Sequence, residues 1–437
     1  MRIIIANPFF PPYAPGGAEY SLEQMCHRFV MEGWKVRVVT GCYNGKPHLE
    51  SRDGYEVLYV ESPLILSEGQ QIDATSYLRS QAYEEALVQS LIQTIGESGE
   101  RQVLIANNAQ CLVSVALTGV KTGIPTIGII RDTQVICEAG ACIDNEPAVF
   151  AVPCRGVLGA ARCMLRFQRQ RGVVGWRPVP SVLLDGARNG WRRSRLRKQG
   201  LMRMTSVVTI SDALRDLVRT IPGMNRRDIV TIRNFHTAVE LPGKAEILNF
   251  LGSLGLEPNK YFLFAGRKTY GKGADLAVDA IKVVNAVRPD VKLLLLGREK
   301  VLSPLDASFV DHASVSQSLL LGVLKMCRAF LIPGRWQEGL NRTMIDALHL
   351  CVPIICSEAG APPVEGVIDG ENGYVVKCDD ASALANAMFE LLKWNMQSFE
   401  LCRAVSGARF RERFSDEIVM GQWRNLFERL LKSSCRS

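Results

Sequence analysis

Short apolar runs alternate with amphipathic stretches along the chain, and their spacing predicts two successive α/β arrangements. The opening MRIIIANPFFPP reads as a buried first strand. A helical pattern follows through Tyr20, Leu22, Met25, Cys26 and Phe29, and then come a second strand over Lys35 to Gly41 and a weaker third over Glu56 to Val60. Tyr77 to Ile95 has the periodicity of a long amphipathic helix. Val103 to Ala106, a helix around Leu112 to Leu117 and the run Pro125 to Ile130 continue the alternation. Strand and helix repeating at this distance predict a doubly wound parallel sheet, which binds ligands at the C-terminal ends of its strands. Around Ala238 to Ala245, with Pro242-Gly243, the chain is expected to cross into a second such unit. That unit is read from Tyr261 to Gly266, a helix from Ala274, and the runs Val291 to Gly297, Ala329 to Ile332 and Val352 to Ser357. The expected fold class is therefore α/β with two Rossmann-like domains, at 1–240 and 241–412. A closing helix in 413–437, capped near Ser415-Asp416, presents Ile418, Met420, Trp423, Leu426, Leu430 and Leu431 to a core.

Composition adds limits to this picture. With 437 residues, 47% hydrophobic and 22% charged, the chain is an ordinary globular one and long enough for two domains. The most apolar stretch, Ser318 to Pro333, contains Lys325 and Arg328, so no transmembrane helix is expected. The first strand is broken by Asn7 and prolines and does not read as a signal peptide. Thirteen cysteines, an odd number scattered from Cys26 to Cys435, fit buried thiols in a reducing compartment, and a cytoplasmic location is expected.

The formal charge of +8 is unevenly placed. Residues 151–203 hold thirteen basic side chains against Asp185 alone, within a segment of about 137–203 that reads as a basic, Cys-containing insertion. Basic residues beside Leu165, Phe167, Val173, Trp176 and Trp191 suit an anionic membrane surface, at about 1 kcal/mol for each Lys or Arg near it, or a lipid diphosphate acceptor. A solvated loop that balances the acidic remainder is the alternative. No nucleic-acid recognition motif accompanies the charge, so no nucleic-acid partner is expected. Cys137, Cys142, Cys154 and Cys163 lack the paired spacing of zinc ribbons and are read as free thiols, with no metal site.

Candidate chemistry gathers in Pro333 to Gly373. After the run ending at Ile332, Glu338 and Gly339 lie in a loop, and Asn341 is placed to cap a helix whose Met344, Ile345, Leu348 and Leu350 share a face. Backbone N–H groups at Leu340, Asn341, Arg342 and Thr343 would point at an anion such as a diphosphate. Glu338 would then sit beside whatever the diphosphate carries, and Asp346 would accept hydrogen bonds from a ribose. Near the N-terminus, Gly16-Gly17 forms a glycine turn at a strand-to-helix junction, where the backbone can approach a ligand; a plain tight turn is the alternative.

The Glu338 to Asp346 passage resembles the carboxylate-x7-carboxylate signature of retaining GT-B glycosyltransferases, in particular glycosyltransferase family 4. Gly266-Arg267 through Lys272-Gly273 is similar to that family's Gly-Arg…Lys-Gly motif, which implies that Arg267 and Lys272 bind donor phosphates. The resemblance implies a GT-B fold with an active site between two domains and a nucleoside diphosphate sugar as donor substrate. It further implies a saccharide or lipid-linked acceptor, retention of configuration, and no cofactor or required metal, the leaving phosphate helping to deprotonate the incoming hydroxyl. It places Gly297 where room for the nucleobase is needed, Gly16-Gly17 by the donor phosphate and acceptor side, and Glu338 on the sugar hydroxyls.

The chain departs from the family in four places. Asp346 replaces the usual Glu, one methylene shorter. Arg131, at the end of the strand Pro125 to Ile130, replaces a His; it cannot act as a base but can stabilise negative charge or bind an acidic sugar or acceptor, or pair with Asp132 to order the loop. Arg233 stands where relatives have a proline, and the turn before Glu365 is one residue longer. Other readings compatible with the sequence are a GT-B nucleotide-sugar epimerase and a catalytically weak nucleotide-binding partner subunit.

Overall fold

The computed structural model describes residues 1–13, 16–43, 45–62, 81–96, 99–136, 191–297, 306–337 and 339–433. Glu338, the four cysteines of the basic segment and most of that segment lie outside the described residues. Two compact units emerge, one drawing on 1–136, 191–235 and 416–433 and the other on 236–415.

In the first unit the elements run β1 (Arg2–Ala6), α1 (Gly17–Met31), β2 (Lys35–Gly41), β3 (His48–Arg52), β4 (Tyr55–Val60), α2 (Gln81–Gly96), β5 (Gln102–Ala106), α3 (Leu112–Thr122), β6 (Thr126–Ile130), α4 (Trp191–Arg203), β7 (Ser206–Thr209), α5 (Asp212–Arg219) and β8 (Ile229–Thr231). The sheet order is β3-β4-β2-β1-β5-β6-β7-β8, parallel throughout except for β3, which pairs antiparallel with β4. β3 is exposed and polar along His48 to Arg52, which is why no apolar run announces it. By contrast every residue of β1 and β5 is buried, as a central parallel strand covered on both faces requires.

The basic run Trp191 to Lys198 ends as part of this unit and not as an appendage. It forms α4, the helix that precedes β7, and it packs so closely on α3 that a Cβ on Gly200 would lie 3.0 Å from the Leu112 backbone. Arg197 is buried and donates to the Gln134 carbonyl, while Arg192, Arg195 and Arg203 remain exposed beside Leu196 and Met202.

The second unit contains α6 (Lys244–Ser253), β9 (Tyr261–Ala265), α7 (Ala274–Val287), β10 (Lys292–Leu296), β11 (Phe309–His312), α8 (Gln317–Met326), β12 (Ala329–Ile332), α9 (Arg342–His349), β13 (Ile354–Ser357), α10 (Pro362–Glu365), β14 (Gly373–Val376), α11 (Ala381–Leu392) and α12 (Met396–Arg413). Its sheet, β11-β10-β9-β12-β13-β14, is wholly parallel. Alternation along one strand feeds two cores: Tyr261 and Leu263 pack with Leu294, Phe330 and Ile345, whereas Phe262 and Phe264 pack with Leu293, Ile281 and Met388.

The last helix, α13 (Asp416–Ser433), packs on the first unit. Trp423 and Phe427 lie edge-on to Phe29 at 5.4 and 5.6 Å, and Phe427 also meets Trp34 at 5.0 Å. Arg28 to Asp416 and Arg424 to Glu32 add ion pairs at the rim. The apolar contacts dominate, because one member of each ion pair, Asp416 and Arg424, is about half exposed and the pairs are partly screened by water. Trp423→Ala is expected to lower the first unit's stability by about 3–5 kcal/mol, read as a drop in its urea midpoint; an unchanged midpoint would mean that α13 contributes nothing there.

Candidate functional site

Three adjacent strands of the second sheet, β9, β12 and β13, place their C-terminal loops side by side. The loop after β9 holds Gly266 and Arg267 and turns into a single 3-10 turn, Tyr270–Lys272, before α7. The loop after β12 runs from Pro333 to Asn341 and starts α9.

These two loops are joined through Pro333, Arg335 and Trp336. Arg335 N–H donates to the Gly271 carbonyl at 3.0 Å. The Arg335 side chain, 7% exposed, donates from Nη1 and Nη2 to both Asp275 oxygens at 2.7 and 2.8 Å, from Nη1 to the Tyr270 carbonyl at 2.7 Å, and from Nε to Asp379. Its guanidinium also lies 4.0 Å from the Tyr270 ring centre. Gly273, at φ 72°, passes so near Pro333 that a Cβ would sit 1.9 Å from the Pro333 oxygen, and a Cβ on Gly271 would enter the Trp336 ring. The sequence reading missed Arg335 entirely. A single arginine in a loop carries no signal until its partners, sixty residues earlier and forty-four later, are seen around it.

On this frame Arg267 is exposed and Lys272 half-buried. Lys268, between them, is spent: its ammonium pairs with Asp311 and donates to the His312 and Gly297 carbonyls, tying the loop to β10 and β11. Gly266, at φ 150°, has open space where a Cβ would be. A Cβ on Gly297 would lie 2.1 Å from the Gly266 oxygen, so the close backbone approach by itself requires glycine there.

Asn341 caps α9 as expected, accepting from Met344 N–H at 3.1 Å. Gly339 is buried and Leu340 packs against the core, while Arg342 donates to Gln317 at 2.7 Å. Exposed Arg267, half-buried Lys272, a capped helix start and backbone N–H groups thus share the C-terminal end of the sheet, a combination suited to binding an oxyanion.

Other sequence candidates have different duties. Asp346 is 2% exposed, and its oxygens accept from the Thr237 N–H at 2.9 Å and the Thr237 hydroxyl at 3.1 Å. Instead of waiting for a ribose, the shortened carboxylate holds the chain where it enters the second unit. Burial pushes its pKa up, opposed by the Thr237 hydrogen bonds and the nearby Arg342 charge. The folded chain therefore holds this proton more tightly than the unfolded one, and Asp346 adds stability as pH falls through its raised pKa and removes it as pH rises.

Arg131 is also buried. It donates to the Asn107 carbonyl and side chain at 2.7 to 3.1 Å and to Asn234 at 2.7 Å, bracing the end of β6 against the segments after β5 and β8. Asp132 caps the following turn through Gln134 N–H. Burial lowers the Arg131 pKa to about 10, against the raising influence of Glu19 and Asp132, so it remains a cation at neutral pH. It serves as an internal brace, the reason being that its donors go to amide and carbonyl oxygens within its own unit.

In the N-terminal turn, Gly16 N–H donates to Glu19 at 3.1 Å and Gly17 begins α1 with no heavy atom within 4 Å of its would-be Cβ. Glu365 is fully buried and pairs with Arg413 at 3.1 Å.

Residues 259–393 match the family described as glycosyl transferases group 1. Spore coat protein SA of Bacillus subtilis is 27% identical over 34% of this chain and 43% of its own length. Phosphatidyl-myo-inositol mannosyltransferase of Mycobacterium leprae is 26% identical over 46% and 55%. The chain spans about half the length of the curated relatives it matches. Among solved structures, sucrose-phosphate synthase from Thermosynechococcus elongatus superposes with a TM-score of 0.71 at 17% identity, covering 99% of both chains. Anabaena HepE in complex with UDP-glucose gives 0.64 at 15%, covering 99% of this chain and 100% of its own.

Asp346→Asn is expected to fold with nearly native stability, since the amide can accept from Thr237 N–H and donate to its hydroxyl, and to flatten the acid-side pH dependence. Asp346→Ala leaves the buried Thr237 N–H unpaired and is expected to cost about 1–3 kcal/mol. Thermal melts between pH 4 and 8 check both, and equal losses in the two variants would contradict the Thr237 role. The chain has the GT-B fold, two Rossmann-like parallel-sheet units, and residues 259–393 of the second are similar to the family described as glycosyl transferases group 1.

Proposed function

We propose that this protein is a retaining glycosyltransferase that moves a sugar from a nucleoside diphosphate sugar to a saccharide or lipid-linked acceptor, with no metal required. The observation that carries the reading is the joining of the Arg267–Lys272 loop to the Pro333–Asn341 loop at the C-terminal end of a parallel sheet, beside a capped helix start. Negative charge grows on the diphosphate as it leaves, and fixed cations with backbone N–H groups stabilise that charge without reorganising. Arg267 and Lys272 supply the cations, the α9 start supplies N–H groups, and Glu338 meets the sugar hydroxyls. Asp346 is left out of this contact set, because its oxygens hold Thr237. Structural neighbours whose descriptions include UDP-glucose in HepE and ADP in starch synthase IV of Arabidopsis thaliana support a nucleoside diphosphate donor.

A lipid-linked acceptor draws support from α4. Arg192, Arg195 and Arg203 are exposed on it together with Leu196 at 37% and Met202 at 46%. Such a cationic, partly apolar face suits an anionic lipid surface. Among the described residues no helix is long and apolar enough to cross a membrane.

Lys272→Ala is expected to reduce turnover of a nucleoside diphosphate sugar by about 10²–10³-fold with the melting temperature unchanged. Coupled release of nucleoside diphosphate measures it, and retained turnover would remove Lys272 from its assigned role. Sedimentation with vesicles containing phosphatidylglycerol tests the α4 face. Binding weakened by Arg192→Glu and Arg195→Glu is expected, and binding unaffected by both would contradict it.

A further inference from the structure

We propose that Arg335 is a positioning residue that sets the geometry of the diphosphate-binding cations. The inference rests on the reading of Arg267 and Lys272 as phosphate ligands. Arg335 is not itself such a ligand, since four of its five N–H donors are committed within the protein. Nε goes to Asp379, Nη1 to Asp275 and the Tyr270 carbonyl, and Nη2 to the second Asp275 oxygen. Two carboxylates surround this one guanidinium, so its charge is neutralised before any ligand arrives.

The positions of its partners define the role. Tyr270 and Gly271 lie between Arg267 and Lys272, so two of the contacts fix the backbone that carries both cations. Asp275 is in the first turn of α7, just beyond Lys272, and Asp379 follows β14. Arg335 itself is three residues before Glu338 in the neighbouring loop. One buried side chain therefore ties three chain segments, and the cation loop cannot move without breaking a bidentate, charge-assisted pair. Trp336 seated over Gly271 closes the remaining direction. Lysine at 335 could not reproduce this, because an ammonium lacks the planar fork needed to meet Asp275 with both nitrogens while reaching Asp379 and Tyr270.

The expected signature is selective for phosphate. Calorimetric titration with matched pairs, UDP and UMP, GDP and GMP, ADP and AMP, gives the ratio of diphosphate to monophosphate affinity for each base. In the native protein one pair should show a preference of about tenfold or more, as charge-assisted contacts to a second phosphate provide. Arg335→Met and Arg335→Lys are expected to bring that ratio to within about twofold while leaving monophosphate affinity within about threefold. A side chain that merely supported the fold would lower both affinities together. Asp275→Asn, altering a half-exposed partner, is expected to reduce the ratio in part and keeps the test open if the Arg335 variants do not fold. An undiminished ratio in the Arg335 variants, or in Asp275→Asn where those fail to fold, would overturn the positioning role and leave the phosphate site standing. No preference for any pair in the native protein would overturn the phosphate site, and the role of Arg335 with it.

Discussion

Parallel strands impose the constraint on which this molecule depends. Each strand must be followed by a return crossing before the next can pair alongside it, so successive loops leave the sheet at the same end. In the second unit β9, β12, β13 and β14 lie side by side in that order while their loops are separated in sequence by two or more elements. That topology, with both faces covered by apolar side chains, is what lets residues near 270, 335 and 379 meet. The hydrogen bonds and ion pairs of Arg335 then turn adjacency into fixed geometry.

Charged side chains in the interior have structural work of their own. Asp346 holds Thr237, Arg131 holds Asn107 and Asn234, and Glu365 holds Arg413. Each occupies a position that the resemblance to glycosyltransferase family 4 marks for a ligand or leaves off-pattern, and each is hydrogen-bonded or ion-paired within its own unit. Burying an ionised group without partners is costly, so these pairings keep the interior tolerable. Exposed Arg267 has a different character: it forms no hydrogen bond or ion pair among the described residues and faces solvent.

Much of the fold was legible from apolar runs, because strands such as β1, β9 and β10 are covered on both faces and read as unbroken hydrophobic segments. β3 was not legible, since an exposed edge strand with His48, Glu50 and Arg52 has no apolar signature. The helical end of the basic segment was equally hidden, as Arg and Lys outnumber apolar residues in α4 and, among its described side chains, Arg197, Gly200 and Leu201 form the buried side. At the site, motif spacing located the two loops and the Asn341 cap. It could not show that Lys268 is consumed by Asp311, that Asp346 turns inward to Thr237, or that Gly297 is demanded by the Gly266 carbonyl. Those are distances between segments remote in sequence, and a pattern of residue types does not contain them.

The central claim is that the loops 266–273 and 333–341 form one nucleoside diphosphate site. Hydrogen exchange followed by mass spectrometry, with and without saturating nucleoside diphosphate, tests it most directly. The account predicts that amides in both loops and in the first turn of α9 gain protection together, while β3 and α13 are unchanged. Protection confined to one loop, or appearing only in the first unit, would contradict it.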